Sequence, residues 1–356
     1  MKKLILFFSC NLILMSCSNE TSIITDYKSE IPITVTDKII IPRVNSLSDK
    51  TNELGVLIEK FSTETNTNNL TAMQTKLNEV SELYAMLYLF NIGDIKGSFI
   101  NRRINFWPVF NTAIEKNIAD GNITKNTISK LGSAGKNLPG LNYLLFKYPN
   151  NNTLLAEYTL NGNRAKFLSL MFNEFKELVG VFQKLWLPNG NNYATKFKTS
   201  TNKGLNSSFN LLYNGLYNVV DNCKVTKIGK PAGLEKSTHT NSKIVESFYA
   251  QNSLQLIYNN IISVEEIFFS DDITSISEYI KSVTKNDALN DQIKSKITAI
   301  KKLILAIKIP LKDAVNSDKA NIKKLHDNLQ ELIILMHNDV RSILSLIITG
   351  TDNDGD

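Results

Sequence analysis

Side chains that could perform hydrolytic or metal chemistry are scarce in this sequence of 356 residues. It contains three histidines, and His326 and His337 lie eleven residues apart, about three helical turns, which is too far to hold one ion. His239 lies in a polar loop. There is no HExxH, CxxC or pair of histidines four residues apart, and no GxSxG or Walker-type loop. The sequence therefore argues against a zinc hydrolase and shows no serine triad pattern, although a triad is defined in space rather than by spacing.

One acidic side chain lies among apolar neighbours and could have a chemical role. Glu246 is flanked by Val245, Phe248 and Tyr249, and Ser253 follows seven residues later, on the same face if the segment is helical. Such a carboxylate could bind a cation or donate a proton. It could equally be a structural carboxylate at a helix N-terminus, interacting with the helix dipole. Glu246 and Ser253 are therefore candidates for ligand binding, and the structural interpretation stays open.

An amide occupies a second conspicuous position. Asn142 precedes the apolar run Tyr143–Phe146, which follows a Pro-Gly turn. An amide can donate and accept hydrogen bonds, but it cannot act as a general base and is a poor metal ligand. Asn142 and Tyr143 are predicted to contact a ligand that needs no charged anchor, or else to serve the architecture of their helix.

The N-terminus has the features of a bacterial lipoprotein signal. Lys2 and Lys3 precede a short apolar stretch, and Leu14-Met15-Ser16-Cys17 resembles a lipobox. We expect residues 1–16 to be removed and Cys17 to carry the lipid. Ser18 is not the aspartate expected for retention in the inner membrane, so an outer-membrane location, facing the periplasm or the cell surface, is predicted.

The charge and the cysteine content argue against a nucleic-acid-binding protein and against a fold held by an intrachain disulfide. Removing residues 1–16 takes away two lysines and no acidic residue, so the formal charge falls from +6 to +4, which is too mild for nucleic-acid binding. With Cys17 acylated, Cys223 has no partner for an intrachain disulfide. The core alone must hold the fold, and a chain of this length can bury a large one.

Apolar residues recur every three or four positions through most of the chain, which predicts an all-α protein of two packed four-helix-bundle-like halves. The predicted organisation is a tether at 17–30, helical halves at 31–195 and 196–350, and an acidic tail at 351–356. Within it, the β-branched stretch 31–46 is expected to be extended. The tail resembles the first half of a calcium loop, but the chain lacks the second half and its closing acid, so a solvated acidic tail is favoured over a calcium site.

Six stretches in order resemble the imelysin family of bacterial lipoproteins. They are "FNIGDI" (90–95), "INFWPVFNTAIEKNI" (104–118), "LPGLNYLLF" (138–146), "KIGKPAG" (227–233), "VESFYAQNSLQLIYNNI" (245–261) and "TDNDGD" (351–356). The resemblance implies two helical-bundle halves with a site near their junction. Members of this family were classed as peptidases, but many are thought to serve iron or haem acquisition instead. The resemblance therefore implies one of these two roles.

The chain departs from this family's pattern at the implied site. A Gly-x-His-x-x-Glu block of the family falls on Asn137, Pro139 and Asn142, so the imidazole and the carboxylate are both missing. An upstream arginine falls on Ser81 and a glutamate on Tyr88, whereas the family tyrosine is kept as Tyr84. Chemistry that needs the His/Glu pair should therefore be absent.

Three functional hypotheses remain at this level. The first is a non-catalytic, membrane-tethered lipoprotein that binds iron, haem or an outer-membrane uptake protein; no metal ligand set can be named. The second is a peptidase, and the third is a structural or surface-interaction lipoprotein. Under the first, ligand-contacting residues should converge on one polar pocket. The candidates are Asn142, Tyr143, Tyr84, Glu246 and Ser253, with Trp107 and Arg164 as further ones; Trp107-Pro108 is otherwise expected to start a helix.

Overall fold

The computed structural model of the chain describes residues 25–160, 162–201 and 204–351. Within these ranges the protein is all-α and contains no β-strand, which confirms the predicted fold class. The first α-helices are α1 (Tyr27–Val35), α2 (Ile41–Thr63), α3 (Thr67–Leu87), α4 (Gly93–Gly97), α5 (Ile100–Ile104), α6 (Asn111–Asp120), α7 (Lys125–Ser129), α8 (Asn137–Phe146), α9 (Asn151–Leu160) and α10 (Gly162–Trp186). The remaining ones are α11 (Tyr193–Thr199), α12 (Ser208–Asn222), α13 (Lys230–Ala232), α14 (Ser253–Phe269), α15 (Ile276–Thr284), α16 (Ala288–Ala306), α17 (Leu311–Ser317), α18 (Lys319–Ile334) and α19 (Arg341–Leu344).

Shorter helical segments of other types join these helices. The 3-10 helices are Tyr88–Phe90, Ser133–Gly135 and Ser242–Ile244. The π-helical segments are Thr36–Ile40, Cys223–Gly229 and Leu335–Val340. Such π-helical turns are often found near functional sites.

The first group of helices packs around α2, α3, α8 and α10. Helix α2 lies against α3 and α10, and α8 lies against α3 and α10. The apolar stripe of α3 faces inward, since Leu70, Met73, Leu77 and Val80 are fully buried. Full burial of one such side chain contributes about 1.5–3 kcal/mol relative to exposure, so the stripe that predicted this helix also holds it in place.

The second group is built from α12, α14, α16 and α18. Helix α16 packs against α14 and α18, and α12 packs against α14 and α18. Ile293, Ile297 and Ile300 of α16 are fully buried at helical spacing. As in the first group, the helices therefore turn one apolar face toward the core.

The two groups share one core. Helix α3 of the first group also lies against α14 of the second, and the buried apolar side chains form a single continuous cluster from Ile31 to Leu346. The predicted boundary at 195/196 lies inside α11, and its position remains a prediction.

The beginning of the fold differs from our expectation. Residues 31–46 are not extended but helical, because α1, the π-helical segment Thr36–Ile40 and the start of α2 run through them. Residues 27–30, assigned to the tether, form the first turn of α1. Ile31, Val35 and Ile40 are fully buried, so tertiary packing overrides the strand preference of β-branched residues.

The predicted signal peptide, Cys17 and the tail residues 352–356 lie outside the described residues. Among the described helices, none is both long enough and apolar enough to cross a bilayer.

Candidate functional site

A cleft of about 430 Å³ lies where elements of both helix groups meet. Its walls are the middle of α3, the loop 105–110 with the first residue of α6, the start of α8 and the segment 243–249, with Leu256 of α14. Ser81, Pro139 and Asn142 all line it. These are three of the positions where the resemblance places functional side chains, so the departures from the family pattern fall on one cavity.

A short non-helical segment forms one wall of the cleft. We call residues 245–252 the strap, since it connects the 3-10 helix Ser242–Ile244 to α14. Ser247 and Gln251 have φ angles of 56° and 61°, in the left-handed region that non-glycine residues rarely adopt. The expectation that Glu246 and Ser253 share one helical face was therefore wrong, because Glu246 lies on the strap and Ser253 begins α14.

Asn142 fastens the strap to α8. Its Nδ2 donates to Ser247 Oγ at 2.9 Å, and its Oδ1 accepts from the Ala250 backbone N–H at 3.2 Å. The side chain is 6% exposed. Both ends of the amide are thus committed to holding the strap, and a carboxylate at this position could not donate to Ser247.

Asn137 explains why the helix tolerates the loss of the family glycine. Its φ angle is 58°, and asparagine adopts this left-handed conformation more readily than other side chains that carry a Cβ. Its Nδ2 donates to the Arg103 carbonyl at 2.8 Å, which ties α8 to the end of α5. The start of α8 is therefore kept in place without glycine.

The carboxylate of Glu246 lies inside the protein and is neutralised by a buried lysine. Lys227 Nζ, in the π-helical segment Cys223–Gly229, lies 2.7 Å from Glu246 Oε2. Asn105 Nδ2 donates to Glu246 Oε1 at 2.8 Å. Ser253 Oγ donates to the Glu246 backbone carbonyl rather than to its side chain. Because a counter-ion and an amide already engage it, Glu246 is not available as a base.

Lys227 joins this pair to the second helix group. Its Nζ also donates to Asn260 Oδ1 at 2.6 Å, while Asn260 Nδ2 donates to the Ala85 carbonyl at 2.7 Å. The chain of contacts therefore runs from α14 to α3. It ties Glu246, which lines the cleft, to both groups.

Aromatic side chains cover much of the remaining surface of the cleft. Trp107, Phe248 and Tyr249 line it. The expected helix start at Trp107-Pro108 was wrong, because both residues lie in a loop that precedes α6. The Trp107 ring lies 5.9 Å from Lys227 Nζ, so it contacts the buried ion pair on one side and the cleft on the other.

Four predicted ligand-contacting residues lie outside the lining of this cleft: Tyr84, Tyr143, Arg164 and Ser253. Tyr84 is buried and donates to Asn101 Oδ1, and burial raises the pKa of its phenol well above the ordinary value. Tyr143 and Arg164 belong to a separate cluster of charges. Of the predicted set, only Asn142, Glu246 and Trp107 line the cleft.

This charge cluster joins α6, α8, α9 and α10. Arg164 is buried and lies 2.6 Å from Glu115 Oε2 and 2.9 Å from Glu157 Oε2, while Lys147 pairs with the same two carboxylates. Burial alone would raise the pKa of Glu115, but the hydrogen bonds from Arg164 and Tyr143 lower it below its usual value. The cluster ties these helices together through paired charges.

Several residues that shape the cleft could not be identified as site residues from the sequence. Lys227, Asn105, Asn111, Lys243 and Ser247 carried no recognisable spacing signal, since single amides, hydroxyls and lysines are common in loops. Asn105, Asn111, Lys227 and Ser247 fall inside stretches that resemble the family, but the resemblance assigns none of them a role. Their roles depend on partners far away in the chain.

The donor set of the cleft does not suit a bare metal ion. The described residues contain no group of three His, Cys, Asp or Glu side chains that could hold one. Glu246 is the only carboxylate in the lining, and it is already paired. His326, the histidine closest to being buried, contacts Glu235 at 2.7 Å. The cleft can instead accept an organic molecule through aromatic faces and neutral hydrogen-bonding groups.

Two solved structures share the fold over most of the chain. An imelysin-like protein from Psychrobacter arcticum 273-4 is 16% identical, with a TM-score of 0.74, and the match covers 91% of this chain and 97% of that one. A protein from Parabacteroides distasonis ATCC 8503, assigned as an iron-regulated protein A precursor, is 19% identical, with a TM-score of 0.73 and coverage of 89% and 95%.

Sequence comparison identifies the family. No curated protein matches the chain. The sequence model of the imelysin family (peptidase M75) matches residues 40–336. This range includes both helix groups and every residue that lines the cleft. The chain therefore belongs to the imelysin family.

Proposed function

We propose that this protein is a non-catalytic, membrane-anchored imelysin lipoprotein that binds a ligand for iron or haem acquisition. The observation that carries the proposal is a cleft at the junction of the helix groups whose carboxylate, Glu246, is paired with a lysine and whose Asn142 amide is committed to structure. A lipid on Cys17 would anchor the protein in the outer membrane, where it would act beside uptake proteins. The iron-regulated assignment of the Parabacteroides distasonis structure supports this context.

The chemistry of the cleft argues against peptidase activity. Proline and asparagine occupy positions 139 and 142, where the resemblance places an imidazole and a carboxylate. Glu246 is held by Lys227 and Asn105. Hydrolysis needs a base or a metal-bound water, and the lining supplies neither a free base nor a ligand set.

The same lining favours an organic ligand over a free ion. The cleft volume of about 430 Å³ falls within the usual range for small-molecule pockets, about 300–1,000 Å³. Haem, or an iron complex that brings its own ligands, would therefore suit the cleft better than aquated ferric ion.

Binding can be tested in solution. Every contact described above lies within residues 25–351, so the chain from Ser18 onward retains them all. We expect this form to bind haem or a ferric chelate and to leave aquated ferric ion unbound. Trp107→Ala should weaken binding about tenfold, because an aromatic contact is worth about 0.5–1.5 kcal/mol in addition to the buried area.

Phe99→Ala is the matched control, since Phe99 is 67% exposed and does not line the cleft. Absorbance and tryptophan-fluorescence titrations measure both variants. Failure of the native protein to bind haem and every ferric chelate tried would refute the ligand-binding proposal.

Anchoring can be tested separately in cells. Cys17→Ser removes the only thiol of the lipobox, so the variant should lose incorporated palmitate and leave the membrane fraction. Cys10→Ser is the control and should remain anchored. Retention of Cys17→Ser in the outer membrane would contradict lipid anchoring at this residue.

A further inference from the structure

The charges that border the cleft do not cancel. Glu246 and Lys227 neutralise each other inside the protein. Lys243 also lines the cleft and is exposed. Among the described residues no carboxylate lies within ion-pairing distance of Lys243, so the lining carries one uncompensated positive charge.

A second lysine lies against the same wall. Lys312 Nζ is 4.8 Å from the ring centroid of Phe248, which lines the cleft. Helix α17, which carries Lys312, packs against the 3-10 helix that carries Lys243. Lys312 likewise has no ion-pair partner within the described part of the chain. Two cations therefore border the strap side of the cleft, where their fields extend about 8 Å at physiological ionic strength.

The surface beside these cations is aromatic and keeps unused neutral hydrogen-bonding groups. Phe248 and Tyr249 pack edge to face, with ring centroids 5.2 Å apart. Asn111 Nδ2 donates to the Tyr249 hydroxyl at 2.8 Å. Among the described residues no other partner engages the hydroxyl hydrogen of Tyr249 or the Oδ1 atom of Asn111, so both can bond to a bound molecule.

We propose that the cleft selects organic anions, with a flat apolar body against Trp107, Phe248 and Tyr249 and an acidic group beside Lys243 and Lys312. The inference rests on the proposed ligand-binding function and names the ligand class of that site. An acidic group gains from both cations, whereas a positively charged ligand would be repelled. A neutral ligand of the same shape gains only the apolar contact.

Two fluorescent probes separate the charge from the apolar body. Anilinonaphthalene sulfonate and phenylnaphthylamine share their aromatic rings, and only the first carries an acidic group. We expect the native chain from Ser18 onward to bind the sulfonate more tightly, and added salt to reduce this preference. Lys243→Gln should weaken sulfonate binding about threefold, as expected for one exposed ion pair.

The double variant Lys243→Gln/Lys312→Gln should remove most of the preference, because it weakens sulfonate binding more than phenylnaphthylamine binding. Lys60→Gln is the matched control, because Lys60 is exposed on α2 and does not line the cleft. Competition by haem, monitored as displacement of the sulfonate, locates the probe in the proposed site.

The outcomes distinguish the two proposals. Equal binding of both probes, or no effect of either lysine substitution on a displaceable sulfonate, overturns the anion preference and leaves the ligand-binding function standing. Failure of haem and ferric chelates to bind, with a lysine-dependent sulfonate preference, overturns the iron or haem role and supports the anion site. Absence of binding by any of these molecules overturns both.

Discussion

The amide of Asn142 is predicted to hold the strap in place, and its removal should loosen that wall of the cleft. Asn142→Leu keeps a similar volume but removes the bonds to Ser247 Oγ and the Ala250 N–H. Each of these bonds contributes about 0.5–1.5 kcal/mol. We therefore expect the free energy of unfolding to fall by about 1–3 kcal/mol.

The assay combines denaturant unfolding with hydrogen exchange. Exchange of the Ala250 amide should accelerate in Asn142→Leu, whereas amides in the middle of α3 should change only by the global loss. Asn52→Leu is the control, because Asn52 is exposed on α2. Unchanged exchange at Ala250 together with an unchanged unfolding free energy would refute the assignment of Asn142 as the residue that fastens the strap.

A charged replacement at the same position adds a pH test. Asn142→Asp can accept from the Ala250 N–H and from the Ser247 hydroxyl, so both contacts can be kept. Burial raises the pKa of the new carboxyl in the folded state above its unfolded value of about 3.9. Relative to the native protein, this variant should be least destabilised below about pH 4 and lose stability as the pH rises through the folded-state pKa.

Further predictions concern the buried charges and the thiol. Arg164→Leu leaves Glu115 and Glu157 with Lys147 as their remaining partner, and should lower the free energy of unfolding by about 1–3 kcal/mol in denaturant titrations, less than the loss of a partner from a fully buried pair. In the native protein the pKa of Glu115 is depressed. Its contribution to the free energy of unfolding is therefore complete above the unfolded pKa of about 4.3 and is lost as the pH falls through the folded-state pKa. Arg164→Leu should flatten this acid dependence of stability. Burial raises the pKa of the Cys223 thiol to about 12, so a thiol reagent at pH 8 should label it only after unfolding, and rapid labelling of the folded protein would contradict its buried position.

The apolar stripes of α3, α16 and α18 could be predicted because each of these helices has one face in the core at regular spacing. Leu325, Leu329 and Leu332 of α18 are all fully buried, as their spacing predicts. Residues 31–46 could not be assigned in this way. Their β-branched composition and Pro32 favour extended chain locally, and only the burial of Ile31 and Val35 against distant helices makes the segment helical.

The candidate site was predictable only in part, because contacts between residues distant in the sequence decide much of it. The resemblance pointed to Ser81, Pro139 and Asn142, which share one cavity. The strap was not predictable, because Ser247 and Gln251 are not the glycine or asparagine that usually signals a positive φ angle. Lys227 and Lys243 gain their significance from neighbours far away in the sequence, and spacing alone carries no information about such pairs.

The ion pair between Lys227 and Glu246 also restricts how this sequence can change over evolutionary time. Loss of either partner alone leaves an uncompensated buried charge, at a cost of about 3–5 kcal/mol, which is a large share of the total stability of a typical domain. Exchange of both for neutral side chains costs far less. Descendants of this chain should therefore keep the two residues together or lose them together, and a lineage with only one should be rare.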